Sequence, residues 1–198
     1  MKHLLYALFI CFTAMACTDR ISNDGYNPQL PPETQTGANT FGAIIDGKVM
    51  IPRTPTGYSP PGSQKAGVCF TEDKEYCEIS VGDSKTQTAY IYIYIKNTNN
   101  MLPLKTGMYP IMESNGELSS SVAEHTLVTA FIYKNNKTIY YHSIGNSGSI
   151  NITRSDADII SGTFSCKLKN EANPADVIDL TSARFDFTKQ TIYNTYFP

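Results

Sequence analysis

The sequence predicts an all-β fold, a single antiparallel β-sandwich or barrel-like domain of about ten short strands, standing after a signal peptide and a disordered tether. Three observations predict it. Apolar and polar residues alternate with a period of two in several runs, turn dipeptides recur about every ten residues, and no window sustains a 3.6-residue apolar period. Composition agrees. Charged residues make up 17% of the 198, there are 13 Tyr and no Trp, and Thr, Ser and Asn fill the remainder, a balance typical of exported β proteins.

The chain opens with a secretory signal. Lys2 and His3 give a short cationic start, Leu4 to Phe12 an apolar core, and small residues Ala14 and Ala16 precede Cys17. The apolar run is too short for the roughly 20 residues of a spanning helix, and polar Thr18, Asp19 and Arg20 follow at once, so residues 1–16 are expected to be cleaved. Cys17 follows small Ala16, whereas Cys11 follows bulky Ile10, which makes Cys17 the better cleavage point. A Cys just after the cut resembles the lipobox of bacterial lipoproteins, although Ala14 stands where that motif usually has Leu. The resemblance implies acylation at Cys17, and several chains at about 0.8 kcal/mol per buried CH₂ would anchor the protein permanently.

Residues 17–39 read as lipid anchor and flexible tether. Thr18 to Asn39 contain three prolines, two glycines and almost no apolar residues, too little to bury a core. Fully extended, such a segment reaches about 65 Å. The all-β domain is then expected over 40–198, large enough for a real core. Its first hairpin is the strongest local signal: TFGAII, then Asp46-Gly47, then KVMIP, two apolar runs around a dipeptide that accepts positive φ. LVTAFIYK, Asn135-Asn136 and KTIYYHS form a second hairpin. From Ile159 to Lys169, Ile160, Phe164, Cys166 and Leu168 alternate with polar residues, with Gly162 at a candidate bulge. GSINIT at 148–153 supplies a short partner strand, and Ala183, Phe185 and Phe187 repeat the alternation against Arg184 and Asp186. The stretch 113–125 could hold one helical turn.

TAYIYIYIK at 88–96 puts Ala89, Ile91, Ile93 and Ile95 on one face and Tyr90, Tyr92 and Tyr94 on the other. One reading is a central strand packed on both sides. The other is a binding surface, either a flat amphipathic platform for a sugar face or peptide, or one wall of a cavity. Cys69 and Cys77 enclose FTEDKEY in a compartment that permits oxidation, and a disulfide between them is expected. Cys166 falls on a core face and reads as a small hydrophobe.

No metal site is expected, because CxxC pairs and His spacings are absent. Glu72, Asp73, Glu75 and Glu78, and separately Asp156 and Asp158, are the residue types that bind calcium. They lack the alternating acidic and Gly pattern and read as solvated turns. His125 and His142 are the histidines of the mature chain, Ser119 to Ser121 precede the first, and GNSGS at 145–149 misses the nucleophile elbow. HExxH and phosphate-cradling glycine motifs are absent, so no catalytic residue and no cofactor is expected. A carboxylate pair gathered from distant strands stays open, as in glycosidases. The whole chain carries 18 acidic and 16 basic groups, and loss of Lys2 leaves 15 basic ones, so nothing electrostatic points to nucleic acid.

Three segments together resemble a family of uncharacterised Bacteroidota lipoproteins: LPPETQTGANTFGAIIDGKVMIPR at 30–53, GSINITRSDADIISGTFSCKLKN at 148–170 and VIDLTSARFDF at 177–187, in the family's order and covering less than half of the chain. Ala43 stands where many relatives have Cys, and Ser182-Ala183 replaces a Gly-containing turn, so cysteine pairing is not carried over. The resemblance implies a lipid-anchored all-β domain at the envelope and brings no established activity.

The expected function is a non-catalytic envelope module. It is held to the outer membrane through Cys17, on the periplasmic face or the cell surface, and its β domain binds a protein or a glycan. The alternatives are a carrier whose lipocalin-like barrel encloses a small apolar ligand with Tyr90, Tyr92 and Tyr94 facing inward, and a hydrolase with a carboxylate pair.

Overall fold

Asp46 and Gly47 both take positive φ, 48° and 75°, and turn β1 (Thr40–Ile45) directly into β2 (Lys48–Met50) with Ile45 opposite Lys48. The computed structural model describes residues 26–54, 67–85, 89–97, 103–135 and 137–197. After that first hairpin come β3 (Val68–Glu72), β4 (Tyr76–Gly82), β5 (Ala89–Asn97), β6 (Gly107–Pro110), β7 (Glu124–Lys134) and β8 (Lys137–Ser143). β9 (Ser149–Ser155), β10 (Ile159–Asn170), β11 (Val177–Thr188) and a 3-10 turn at Ile192–Asn194 complete the elements of the described residues.

The strands form one antiparallel sheet in the order β2-β1-β11-β10-β8-β7-β5-β4-β3, and it does not close. The long strand β10 is its branch point. Ile160 to Ser165 pair with β9, which carries β6 beyond it, while Leu168 to Asn170 pair with β8. The pairing with β9 slips between Ser161 and Gly162, the expected bulge site.

Curling brings the two halves of the sheet onto one core. Phe41, Ile160, Phe164, Leu180 and Phe187 from one half share a single buried cluster with Val68, Ile79, Ile93 and Val128 from the other. Each such side chain contributes about 1.5–3 kcal/mol by leaving water. The curl is fastened beyond β2, where Arg53 runs parallel to Asp83 at the end of β4. Arg53 Nε and Nη2 donate to the two Asp83 oxygens at 2.8 Å each, both side chains being buried, and the Tyr26 ring lies 3.5 Å from the guanidinium carbon. A bidentate pair of this kind fixes geometry as well as charge. The tail completes the fastening: Thr54 N–H donates to the Phe197 carbonyl, Phe197 N–H donates to Thr54 Oγ1, and Ile192 is buried. It docks as a 3-10 turn.

The all-β class and the count hold, with eleven strands among the described residues where about ten were expected. Several other expectations change. The 113–125 stretch holds bends and no helical turn before β7. Of the expected tether, residues 30–38 lie against the sheet, held by hydrogen bonds to Asp186 and Arg184; residues 18–25 lie outside the described set, as do residues 1–16, expected as a signal peptide, and Cys17. The carrier's closed barrel is not formed, and Tyr90, Tyr92 and Tyr94 point away from the common core.

The Cys69–Cys77 disulfide is not formed either. In the β3–β4 register Cys69 faces Ser80 and Cys77 faces Glu72, and the two side chains fall on opposite faces of the sheet. Val68 and Phe70 on either side of Cys69 are core residues, whereas Cys77 is itself in the core beside Ile79. Spacing in sequence suggested a bridge, and the period of two forbids it.

Both outer faces are crossed by a non-strand segment. The face of β1, β9, β10 and β11 carries Thr40, Thr153, Ser161, Thr163, Arg184 and Asp186, and residues 30–38 lie over it. The face of β4, β5, β7 and β8 carries aromatics, and residues 113–123 lie over part of that.

Candidate functional site: the outer aromatic face

Alternation along β5 decides the chemistry of this face. Ala89, Ile91, Ile93 and Ile95 go to the core, so Tyr90, Tyr92 and Tyr94 go outward, where Leu127 and Tyr76 join them in a second apolar cluster. Register extends the row, because Tyr90 stands opposite Phe131 on β7, and Phe131 opposite Tyr140 on β8.

The strap over residues 113–123 divides this face into a covered and an open part. Its start is pinned by Ser114 N–H donating to the Ser143 carbonyl at 2.9 Å and by a Glu113–Lys169 ion pair. Further along, the Tyr92 hydroxyl lies 2.6 Å from Glu78 Oε1 and 2.9 Å from the Leu118 carbonyl, sharing its proton between them. Burial and then the bond to Glu78 push that phenol well above the ordinary tyrosine range. Lys96 Nζ donates to the Ser120 carbonyl at 3.0 Å. Gly116 sits on the ring of buried His142, whose Nδ1 is 3.4 Å from Thr129 Oγ1 and whose Nε2 is 3.6 Å from Glu171, beyond hydrogen-bond reach. Tyr92 and Tyr94 are thus buried, at 8% and 3% exposure.

The open part is the row Tyr90–Phe131–Tyr140. Tyr90 and Phe131 stack with planes within 11° and centroids 5.4 Å apart, and Tyr140 meets Phe131 edge-on at 5.1 Å. Tyr140 and Tyr133 remain close to half exposed, at 46% and 45%. Beside them runs an open trough of about 390 Å³, lined by Tyr90, Phe131 and Tyr133 with Ser84 and Thr138 as polar edges. Such a surface buries large apolar area while its hydroxyls stay wet, which suits recognition. The rings brace one another, so little side-chain freedom is left to lose on binding.

A second cleft, about 350 Å³, opens between β6 and the start of β7 and is lined by Lys96, Lys105, Met108, Met112 and His125. The Nδ1 atom of His125 is buried there without a hydrogen-bond partner. Ser120 is occupied locally, its Oγ accepting from Val122 N–H, and Ser121 is exposed.

The acidic residues weighed for calcium are dispersed among protein partners. Glu72 takes Lys189 at 2.8 Å, Glu75 lies 3.7 Å from Lys96, Glu78 takes Tyr92, and Asp73 accepts from Lys74 N–H. Asp156 is held at about 2 by Arg154 and the N–H groups of Asp158 and Ile159. Among the described residues no group of three or more His, Cys, Asp or Glu could hold a metal ion.

Of the residues singled out in the sequence, the structure brings Tyr90, Tyr92 and Tyr94 onto one surface and leaves only Tyr90 at its open edge. Phe131 and Tyr140 were not foreseen as part of it. Their signal lay in the hairpin register around Asn135, which aligns 131 with 140. A scan of protein-family models, a search of curated proteins and a search of solved structures each return no match.

Proposed function

We propose that this protein is a non-catalytic binding module of the cell envelope, held through a lipid on Cys17 in the outer membrane and engaging a protein or a glycan through its outer aromatic face. The observation that carries the reading is the braced row Tyr90–Phe131–Tyr140 at the edge of an open trough. The sequence likeness to Bacteroidota lipoproteins and the lipobox support the envelope setting. A carrier is disfavoured, since the common core is filled by the protein's own side chains. For a hydrolase, Glu33 and Asp186 line one pocket, but the Asp186 oxygens are occupied by donors from Thr34, Thr36, Gly37, Ala38 and Ser161 and have no lone pair placed for proton transfer.

Native mass measurement on the full chain, extracted gently from its own envelope, tests this. A stoichiometric complex with a protein or glycan supports the module. A surplus of a few hundred daltons lost on denaturation would indicate the carrier instead, and a bare monomer that also fails on a glycan array would remove the proposal.

A further inference from the structure

We infer that the pocket between the 30–38 segment and the outer face of β1, β9, β10 and β11 is a binding site for a neutral sugar, one pyranose ring at a time. It is separate from the aromatic face, on the opposite half of the sheet, and does not depend on that face being a binding surface. The pocket encloses about 190 Å³. That is the liquid volume of about six waters, the scale of a single sugar ring, and below the roughly 300 Å³ at which drug-sized pockets begin.

Its lining is chosen for hydroxyl chemistry. Thr40, Thr153 and Thr163 come from three different strands, and Arg184, Glu33 and Gln35 close the sides. Each threonine offers a donor, acceptor lone pairs and a methyl group, the combination that matches a ring bearing hydroxyls on its edge and C–H groups on its face. Gly162 contributes backbone to the floor. A Cβ on it would point to the core side, 2.7 Å from Phe185 Cζ and 2.7 Å from the Asn151 carbonyl oxygen, so the packing beneath the pocket requires glycine.

Charge selects for neutrality. Arg184 Nη1 donates to the Pro31 carbonyl at 3.2 Å and lies 3.8 Å from Glu33, while Nε donates to the Ser182 carbonyl at 3.1 Å. The guanidinium is therefore already met by a carboxylate, and Asp186 adds a second one at the wall. An anion would face Glu33 and Asp186, and a cation would face Arg184. A neutral polyhydroxy ligand faces neither penalty and finds acceptors and donors in fixed places.

The wall is preorganised. Asp186 holds Thr34, Thr36, Gly37 and Ala38 of the overlying segment, with Ser161 beneath. Asp186 is a positioning residue that sets the height of the roof, and the ligand contacts fall to the three threonines, Gln35 and Arg184.

The test is methyl NMR on the detergent-solubilised full chain labelled at threonine, titrated with glucose, galactose, mannose and N-acetylglucosamine, with glucuronate and inorganic phosphate as charged comparisons. At least one neutral sugar should shift the Thr40, Thr153 and Thr163 methyls together and saturably. Thr163→Val, which keeps the shape and removes the hydroxyl, should weaken that binding about tenfold, as should Thr153→Val if the first variant fails to fold. Val177→Ser, exposed at the far end of β11 and outside both surfaces, should leave sugar binding unchanged. The inference is overturned if none of the four sugars moves the three methyls at about 100 mM, if glucuronate or phosphate binds as well as the best neutral sugar, or if both valine variants bind undiminished.

Discussion

Thr34 and Asp186 stand 152 residues apart in the chain, yet the Thr34 hydroxyl donates to Asp186 Oδ2 at 2.6 Å. Around that contact, Thr36, Gly37 and Ala38 N–H groups and the Ser161 hydroxyl complete the coordination of one carboxylate. Three sequence segments that read separately, TQTGAN, ISGTF and RFDF, are thereby joined at a point.

Burial alone would raise the Asp186 carboxyl, but the bonds from Thr34, Ser161, Ala38 and Gly37 outweigh it and hold the group down at about 2. A depressed folded-state value means the stabilisation is complete above the unfolded carboxylate value near 4 and is lost as pH falls through about 2. The size is on the order of 2 kcal/mol. Asp186→Asn should remove the acid-dependent step between about pH 4 and 2, lower the melting midpoint and make residues 30–38 cleavable by protease. A variant whose 30–38 segment stays protected would show that other contacts hold it.

Tyr92→Phe deletes the hydroxyl shared by Glu78 and Leu118 while keeping the ring. A loss of about 1–2 kcal/mol is expected, together with faster amide exchange confined to residues 115–122. Exchange in β5 and β7 should not change, because their pairing does not involve the strap.

No disulfide links Cys69 to Cys77, and burial pushes the thiols of Cys77 and Cys166 up, the latter to about 12. Reductant should leave the melting midpoint where it is, and both buried thiols should resist alkylation until the protein unfolds. A midpoint that drops with reductant would mean the two cysteines are bridged.

Two glycines should respond differently to alanine. At Gly148 a Cβ would lie 1.8 Å from the Ser165 carbonyl oxygen and 2.8 Å from its carbon, so backbone must move and a cost above about 2 kcal/mol is expected. At Gly47 nothing lies within 4 Å and only the positive φ of 75° resists, costing about 1–2 kcal/mol. Denaturant midpoints of the two variants give the comparison.

What was legible in the sequence was what is local. Asp46-Gly47 needs only its own dihedrals, and the alternation through β10 and β5 needs only the period of two. The docking of residues 30–38 was hidden because Pro- and Thr-rich composition looks the same in a solvated tether and in a segment fixed by hydrogen bonds to a distant carboxylate. Cys69 and Cys77 misled for a related reason, since spacing says nothing about which side of a sheet each falls on. Tyr90, Tyr92 and Tyr94 were correctly grouped on one face, but the cover supplied by Leu118 and Ser120 is non-local, and so is the extension of the row to Phe131 and Tyr140.

The most direct measurement is the recovery of the envelope-derived complex with Phe131→Ser/Tyr140→Ser against the unaltered chain, each checked for an unchanged fold by circular dichroism. The account predicts that the folded double variant loses the partner or glycan that the unaltered chain retains. Retention of the same ligand at the same stoichiometry by the folded variant would contradict it, and would place recognition elsewhere on the molecule.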